Sequence, residues 1–282
     1  MFEVASERIL CIPDWIDENI NGPSVIRVPE WIENPLGKYY MYFAHHQGTF
    51  IRLAYSDTPI GPWKVLMTGT LDIKNTYCEH HIASPDVHVD NHSIRMYYHG
   101  DYEGAQYTFH AYSTDGIEFP KKMWSGKPLG HFYFRVFDWE DNRYAIAKEE
   151  NIGGLLYKLN TVTCEYQPMM RLIENMRHCS IHVDGEWLYV FYTRMNEEHE
   201  HIRVTKINMK CWMESYDKPL LYPKEDWEGI NQPIVKSNPG AVYGLHNQLR
   251  DPYLFKDIDG QFYLYYSGGG ENCIGCVKLE LK

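Results

Sequence analysis

Apolar and polar positions along this chain recur as a unit whose clearest copy is LRDPYLFKDIDGQFYLYYSGGG, Leu249 to Gly270. A polar pair, Arg250 and Asp251, precedes Pro252 and a short apolar run, Tyr253 to Phe255. An Asp259-Gly260 turn follows, and then an alternating aromatic stretch from Phe262 to Tyr266. Two β-favouring runs around a Gly turn predict a β-hairpin. The same order occurs as NGPSVIRV before KYYMYFAHH, as ASPDVHVD before SIRMYYHG, and as RHCSIHVD before EWLYVFYTR. A weaker copy is FYFRVFDWEDNRYAIAKEE. The first two copies continue alike, LAYSDTPIGPW (Leu53 to Trp63) and HAYSTDGIEF (His110 to Phe119), each read as a third strand, a turn and the start of a fourth.

With Val25, Val87, Val136, Ile181 and Leu254 taken as equivalent, the chain divides into five units of roughly 45 to 75 residues, enough for four antiparallel strands and their loops. The predicted fold is therefore all-β: one domain over 1–282, a five-bladed β-propeller. Its blades cover about 21–67, 83–122, 132–172, 177–222 and 249–282. The last unit shows only three strands, and an open sheet edge invites aggregation, so Arg8 to Ile12 is expected to pair there and close the ring. The connection Pro223 to Gln248 is long for a compact domain, which marks it as functional.

Composition refines this picture at a few points. A chain of 282 residues, 44% hydrophobic, with 23 Tyr and 8 Trp, supplies the core of one large all-β domain. No apolar stretch reaches the length of a membrane span. MFEVASERIL lacks the basic and apolar regions of a signal peptide, which predicts a cytoplasmic protein unless a leader has been removed. A net charge of −11 argues against a nucleic-acid surface. Seven Cys without framework spacing read as reduced thiols. Cys273 and Cys276 form an isolated CxxC, read as two strand residues.

In a propeller the innermost strands begin around one axis, so chemistry is expected at their heads. Asp86 in SPDV and Asp251 in RDP are the carboxylates there, with Glu79 just upstream of the second blade. His178 and His81 stand at or just before such heads, where a His can exchange protons near neutral pH. Arg135, Arg177 and Arg250 head the third, fourth and fifth blades. Convergent Arg side chains bind carboxylate or sulfate through paired hydrogen bonds, which predicts an anionic sugar. His46 and Glu150 close second strands of their blades. Phe132, Tyr133, Tyr77, Trp139 and Trp227 are candidate stacking surfaces for sugar rings. No cofactor is predicted. His80, His81 and His178 with Asp86 or Glu79 would be the ligands of a metal, but HExxH or comparable spacing is lacking.

PSVIRV with GKYYMYFA, SDTPIGPW, ASPDVHVD and RDPYLF resemble the five-bladed propeller glycosidases of glycoside hydrolase family 43 and their invertase, levansucrase and anhydro-galactosidase relatives. The resemblance covers nearly the whole chain at the level of blade pattern. It implies an Asp at the head of blade one, where this chain has Gly22 beside Asn21. It implies a second Asp in blade three, at Tyr133, and a Glu in blade four, at Arg177. The reading is therefore a glycoside hydrolase-like enzyme acting on a short, acidic or modified oligosaccharide. Asp86, Asp251, Glu79 and His178 are its catalytic candidates. Asn21, His46, His81, Tyr133, Arg135, Glu150, Arg177 and Arg250 are the candidates for substrate binding. The alternatives are a lyase acting on a uronic acid by β-elimination, using Arg with Tyr133 or His178, and a carbohydrate-binding propeller without catalysis.

Overall fold

The computed structural model describes residues 1–120 and 126–282. Two short strands, β1 (Phe2–Val4) and β2 (Ile9–Ile12), precede the first blade. Blade one is β3 (Asn21–Arg27), β4 (Tyr39–Ala44), β5 (Arg52–Ser56) and β6 (Lys64–Leu66). Blade two is β7 (Ile82–Asp90), β8 (Ser93–Tyr102), β9 (Ala105–Ser113) and β10 (Gly130–His131). Blade three is β11 (Arg135–Trp139), β12 (Asn142–Glu149), β13 (Gly153–Asn160) and β14 (Glu165–Glu174). Blade four is β15 (Met176–Asp184), β16 (Trp187–Arg194), β17 (Ile202–Asn208) and β18 (Met213–Leu221). Blade five is β19 (Arg250–Lys256), β20 (Phe262–Gly268) and β21 (Cys273–Leu281), completed by β1. The five sheets are antiparallel meanders, so the fold is the five-bladed propeller expected from the repeat.

Burial follows radial position. β4 reads YYMYFA and is buried along its whole length, because neighbouring blades cover both of its faces. The outer strand β14 is mostly exposed and carries Pro168, and β18 carries Pro219. A strand edge facing solvent tolerates the missing N–H of proline. The weakest outer strand is that of blade two. It was expected to begin near Phe119, but β10 is a two-residue strand at Gly130–His131, paired with Thr108 and Tyr107. So short a strand leaves no periodic signal. The Lys122 boundary assigned to that blade lies outside the described residues.

The N-terminus closes the ring with two strands. β2 pairs with the inner half of β21, setting Ile9 opposite Cys276 and Ile12 opposite Ile274. β1 pairs with its outer half, Phe2 opposite Leu281 and Val4 opposite Leu279. Phe2 is fully buried. Its ring meets Tyr189, Phe191, Phe262 and His182 edge-on at centroid distances of 5.0 to 5.8 Å, so it wedges between blades four and five.

Near the axis each blade is tied to the next through the residue that precedes the aligned apolar position. Ser24 Oγ accepts from the Val87 N–H at 2.9 Å, and Asp86 Oδ2 from the Val136 N–H at 2.9 Å. Arg135 Nε donates to Cys179 O at 2.8 Å. Ser180 Oγ accepts from the Leu254 N–H at 2.7 Å, and the Tyr253 hydroxyl donates to Val25 O at 3.3 Å. The five links close a circle. Two residues earlier stand Gly22, Ser84, Tyr133, His178 and Asp251, at the mouth of the axis. Four of these have left-handed backbones, with φ of 60°, 48°, 65° and 49° at Gly22, Ser84, Tyr133 and Asp251. The pairing register shifts at the heads of β3, β7, β15 and β19. Such bulges re-aim side chains beside functional sites.

Phe2→Ala should lower the free energy of unfolding by about 3 kcal/mol, the loss expected for a buried Phe. Chemical denaturation measures it, and an unchanged midpoint would mean that Phe2 does not carry the closure.

Candidate functional site

The mouth of the axis is a cavity of about 610 Å³ with walls from all five blades. That size lies within the range of small-molecule sites. Asn21 and His46 come from blade one, Ser84 and His99 from blade two, Tyr133 and Lys148 from blade three. His178 and Arg177 come from blade four, Asp251 and Glu271 from blade five. Pro239 and Gly240, from the long connection before blade five, complete the wall.

Asp251 and His178 are the buried centre of this cavity. His178 Nδ1 is hydrogen-bonded to Asp251 Oδ1, and Asp251 Oδ2 accepts from Ser267 Oγ at 3.2 Å. On its other side, His178 Nε2 lies 3.3 Å from Ser84 Oγ. The Tyr133 ring stands edge-on to His178 with centroids 3.8 Å apart. Burial alone would raise the pKa of Asp251, but His178, Arg250 and Arg177 overcome it and hold the carboxyl well below the usual range. Burial lowers His178, against the pull of Asp251. At neutral pH the pair is thus an aspartate and a neutral imidazole that donates its Nδ1–H.

Glu271 is the second buried carboxylate. It sits 2.8 Å from Arg250 through Oε1 and takes Asn19 Nδ2 at 2.7 Å and His46 Nδ1 at 3.3 Å through Oε2. Burial opposes its ionisation, but the His46 hydrogen bond and the Arg250 charge prevail and bring its pKa down to about 2. Lys148 is buried among aromatic faces, its Nζ 5.3 Å from the Phe132 ring centre and 5.7 Å from that of Tyr133. Burial, reinforced by the charge of Arg177, brings its pKa down to about 8. No carboxylate within salt-bridge distance of Lys148 is found among the described residues.

The arginines are turned toward the protein. Arg177 spends Nε on Glu200 at 2.7 Å, and its two terminal nitrogens on Asn238 O and Gly240 O. Arg250, wholly buried, binds Gln248, Glu271 and Gly240 O. Arg135 lies below the cavity, donating to Cys179 O and Pro85 O. Their guanidinium groups hold blades together and anchor the connection, instead of facing a ligand. Buried charges require such partners, because an unpaired one is costly.

Of the residues read from sequence, the cavity gathers Asp251, His178, Asn21, His46, Tyr133, Glu150 and Arg177. Five lie elsewhere. Asp86 is buried beneath the cavity, bonded to Val136 N and, at 2.8 Å, to His88 Nε2. It belongs to the inter-blade circle, as does Arg135. Arg250 lies behind Glu271. His81 pairs with Asp101 at 3.1 Å outside the lining. Glu79 is exposed on the same loop, where Glu79, His80 and Asp101 place ligand atoms within 4.8 Å of one another. His178 and Asp86 are not part of that group, so the metal set considered from sequence is not assembled. Among the aromatic candidates, Phe132 and Tyr133 line the cavity. Trp139 packs on Trp212 and Tyr144, and Trp227 on Tyr266. All seven cysteines are free thiols, with Cys273 and Cys276 buried in β21.

Sequence reading missed Ser84, His99, Lys148, Glu200 and Glu271. Ser84 had a signal, since it shares the register of Asp251 and His178 three residues before the aligned apolar position. Glu271 follows the second strand of blade five, in the turn that corresponds to His46 and Glu150 in blades one and three.

No family model matches the chain. A protein of Acanthamoeba polyphaga mimivirus, R118, uncharacterized, is 29% identical over 313 aligned positions, which cover 96% of this chain and 86% of the viral one. Solved structures with the same fold include a thermostable family-43 glycoside hydrolase, with a TM-score of 0.63, 14% identity, and 93% and 89% of the two chains covered. A glycosyl hydrolase from Bacteroides ovatus gives a TM-score of 0.64 at 13% identity, covering 99% and 93%. A family-43 β-xylosidase/α-arabinofuranosidase from a compost metagenome, in complex with xylotriose, gives 0.59 at 14% identity, covering 99% and 94%. The chain shares the propeller of these glycoside hydrolases.

The depressed pKa of Glu271 has a thermodynamic consequence. Its contribution to stability is fully present above the ordinary value of 4.5 and is lost as the pH falls toward about 2. Glu271→Gln should therefore unfold at a lower temperature near neutrality and lose less with acid than the wild type over that window. Parallel acid slopes in thermal melts would contradict the assignment.

Proposed function

We propose that the protein is a carbohydrate-active hydrolase of glycoside hydrolase type, acting on a short, modified oligosaccharide that enters the axial cavity. One observation carries this reading: a single cavity brings together two ionised carboxylates, Asp251 and Glu271, and an amine, Lys148, that is protonated at neutral pH. Cleavage of a glycosidic bond needs a proton for the leaving oxygen and a carboxylate for the attacking side. Lys148 would supply the first and Asp251 or Glu271 the second. The Phe132 and Tyr133 rings give the apolar face against which a sugar ring stacks. The fold shared with glycoside hydrolases supports the substrate class.

The chemistry of the lining refines the substrate. With Arg135, Arg177 and Arg250 engaged by protein groups, Lys148 is the remaining cation among the described residues that line the cavity for a sugar carboxylate or sulfate. A sugar bearing a neutral substituent therefore fits better than a polyanion. The same accounting weighs against β-elimination, which needs a cation group to neutralise a uronate.

Assays on a panel of xylo-, arabino- and galacto-oligosaccharides test the proposal. Wild-type protein should release reducing sugar without ultraviolet absorbance, and Asp251→Asn and Glu271→Gln should each lower kcat/KM by about 100-fold or more, the order seen for lost acid–base groups. Activity should fall above pH about 8 as Lys148 loses its proton. A product absorbing in the ultraviolet would indicate elimination, and affinity without any product would indicate a binding protein. Either result would overturn hydrolysis.

A further inference from the structure

Three residues distant in the chain, Ser84, His178 and Asp251, occupy the same register in blades two, four and five and form one hydrogen-bonded line. Asp251 Oδ1 holds His178 Nδ1, and His178 Nε2 faces Ser84 Oγ at 3.3 Å. A carboxylate on Nδ1 fixes the proton there and leaves Nε2 as the bare acceptor, the tautomer a general base requires. A nucleophile–base contact somewhat longer than an ideal hydrogen bond is usual before substrate binds. All three side chains are buried and all three line the axial cavity.

Two further features bear on Ser84, the first shared with Tyr133 and Asp251 at the same register. Its φ of 48° is a left-handed conformation that few non-glycine residues adopt. Strain of this kind gathers at active sites, and a sharply turned backbone is how hydrolases of other folds expose a nucleophilic serine. Beside it, Gly22 has no side chain. A Cβ there would stand 3.2 Å from Ser84 Cα, so the bare backbone keeps the approach to Ser84 open.

We propose that Ser84 is the nucleophile of a Ser84–His178–Asp251 relay that hydrolyses a carboxylic ester on a sugar hydroxyl held in the axial cavity. Ser84 Oγ attacks the ester carbonyl carbon as its proton passes to His178 Nε2. The bond from that carbon to the sugar oxygen then breaks, and the sugar leaves as an alcohol with the proton from Nε2. Water attacks the acyl-serine, gives its proton to Nε2, and the acid departs as Ser84 recovers its hydrogen. The sum is ester plus water to acid plus alcohol, with no redox partner. Asp251 acts as a positioning residue for the imidazole.

The transient oxyanion needs donors, and these differ from the usual arrangement. Pro85 follows Ser84 and has no N–H to give. The group lining the same cavity that can donate instead is Lys148, for which no carboxylate partner is found among the described residues.

This activity goes beyond glycosidic cleavage and is separable from it. p-Nitrophenyl acetate contains no glycosidic bond, so its turnover reports on the relay, whereas sugar release from unmodified oligosaccharides reports on the hydrolase reading. The full chain should hydrolyse p-nitrophenyl acetate, and a fluorophosphonate should give one adduct, located on Ser84 by peptide mass spectrometry. Ser84→Ala should lower ester turnover by about 1000-fold or more, the scale of losing a nucleophile. Absence of the adduct from folded wild-type protein, or wild-type ester turnover by Ser84→Ala, would overturn the proposal. If Ser84→Ala fails to fold, the wild-type labelling result decides the question alone.

Discussion

The fold depends on the circle of hydrogen bonds that links each innermost strand to the next. An innermost strand has one edge without a sheet neighbour, so backbone groups there would be buried and unpaired unless another blade satisfied them. Ser24, Asp86, Arg135, Ser180 and Tyr253 do this, each reaching one blade onward. A single such bond contributes only about 1 kcal/mol net, but leaving a buried donor or acceptor unmade costs about 1 to 3 kcal/mol. The circle is therefore more important as a constraint on geometry than as a source of energy. It fixes the five strands at one height, and side chains two residues earlier consequently meet.

A second constraint acts on the wall of the cavity. The connection 223–248 has little regular structure of its own, yet it places Pro239 and Gly240 against the site. Arg177 and Arg250 both bind Gly240 O, and Arg177 also binds Asn238 O. Their charges are balanced by Glu200 and Glu271. The arginine positions thus convert a long loop into a fixed wall. The same ion pairs hold Glu271 ionised, so one network shapes the cavity and sets its electrostatics.

These relations explain which parts could be read from sequence. The blades were legible because each repeats an apolar run, a Gly turn and an aromatic run, and because inner strands are buried on both faces. β10 was not, since two residues carry no period. Asp86 and Asp251 look alike in sequence, each within two residues of a proline at the head of a blade. They differ by two positions relative to the aligned apolar residue, and that offset sends one to the circle and the other to the cavity. The arginines were read as ligand groups because their partners, Glu200 and the carbonyls of residues 238 and 240, lie 10 to 63 positions away. Glu271 and Lys148 were overlooked because nothing local distinguishes them from solvated charges in strands and turns.

The register also separates what the fold requires from what the chemistry requires. Residues one place before the aligned apolar position must bond a neighbouring blade, and their identities are restricted to side chains that can do so. Residues three places before it carry no such duty. There the chain places Gly22, Ser84, Tyr133, His178 and Asp251: an open space, a hydroxyl, a phenol, an imidazole and a carboxylate. Because all five project to one axis, a change at any of them alters the chemistry without disturbing the links beneath. A propeller can in this way keep its architecture while exchanging one set of reacting groups for another, which is why fold alone does not fix the reaction. In the relay proposed for this chain the decisive contact is that of His178, which touches an aspartate on one side and a serine on the other.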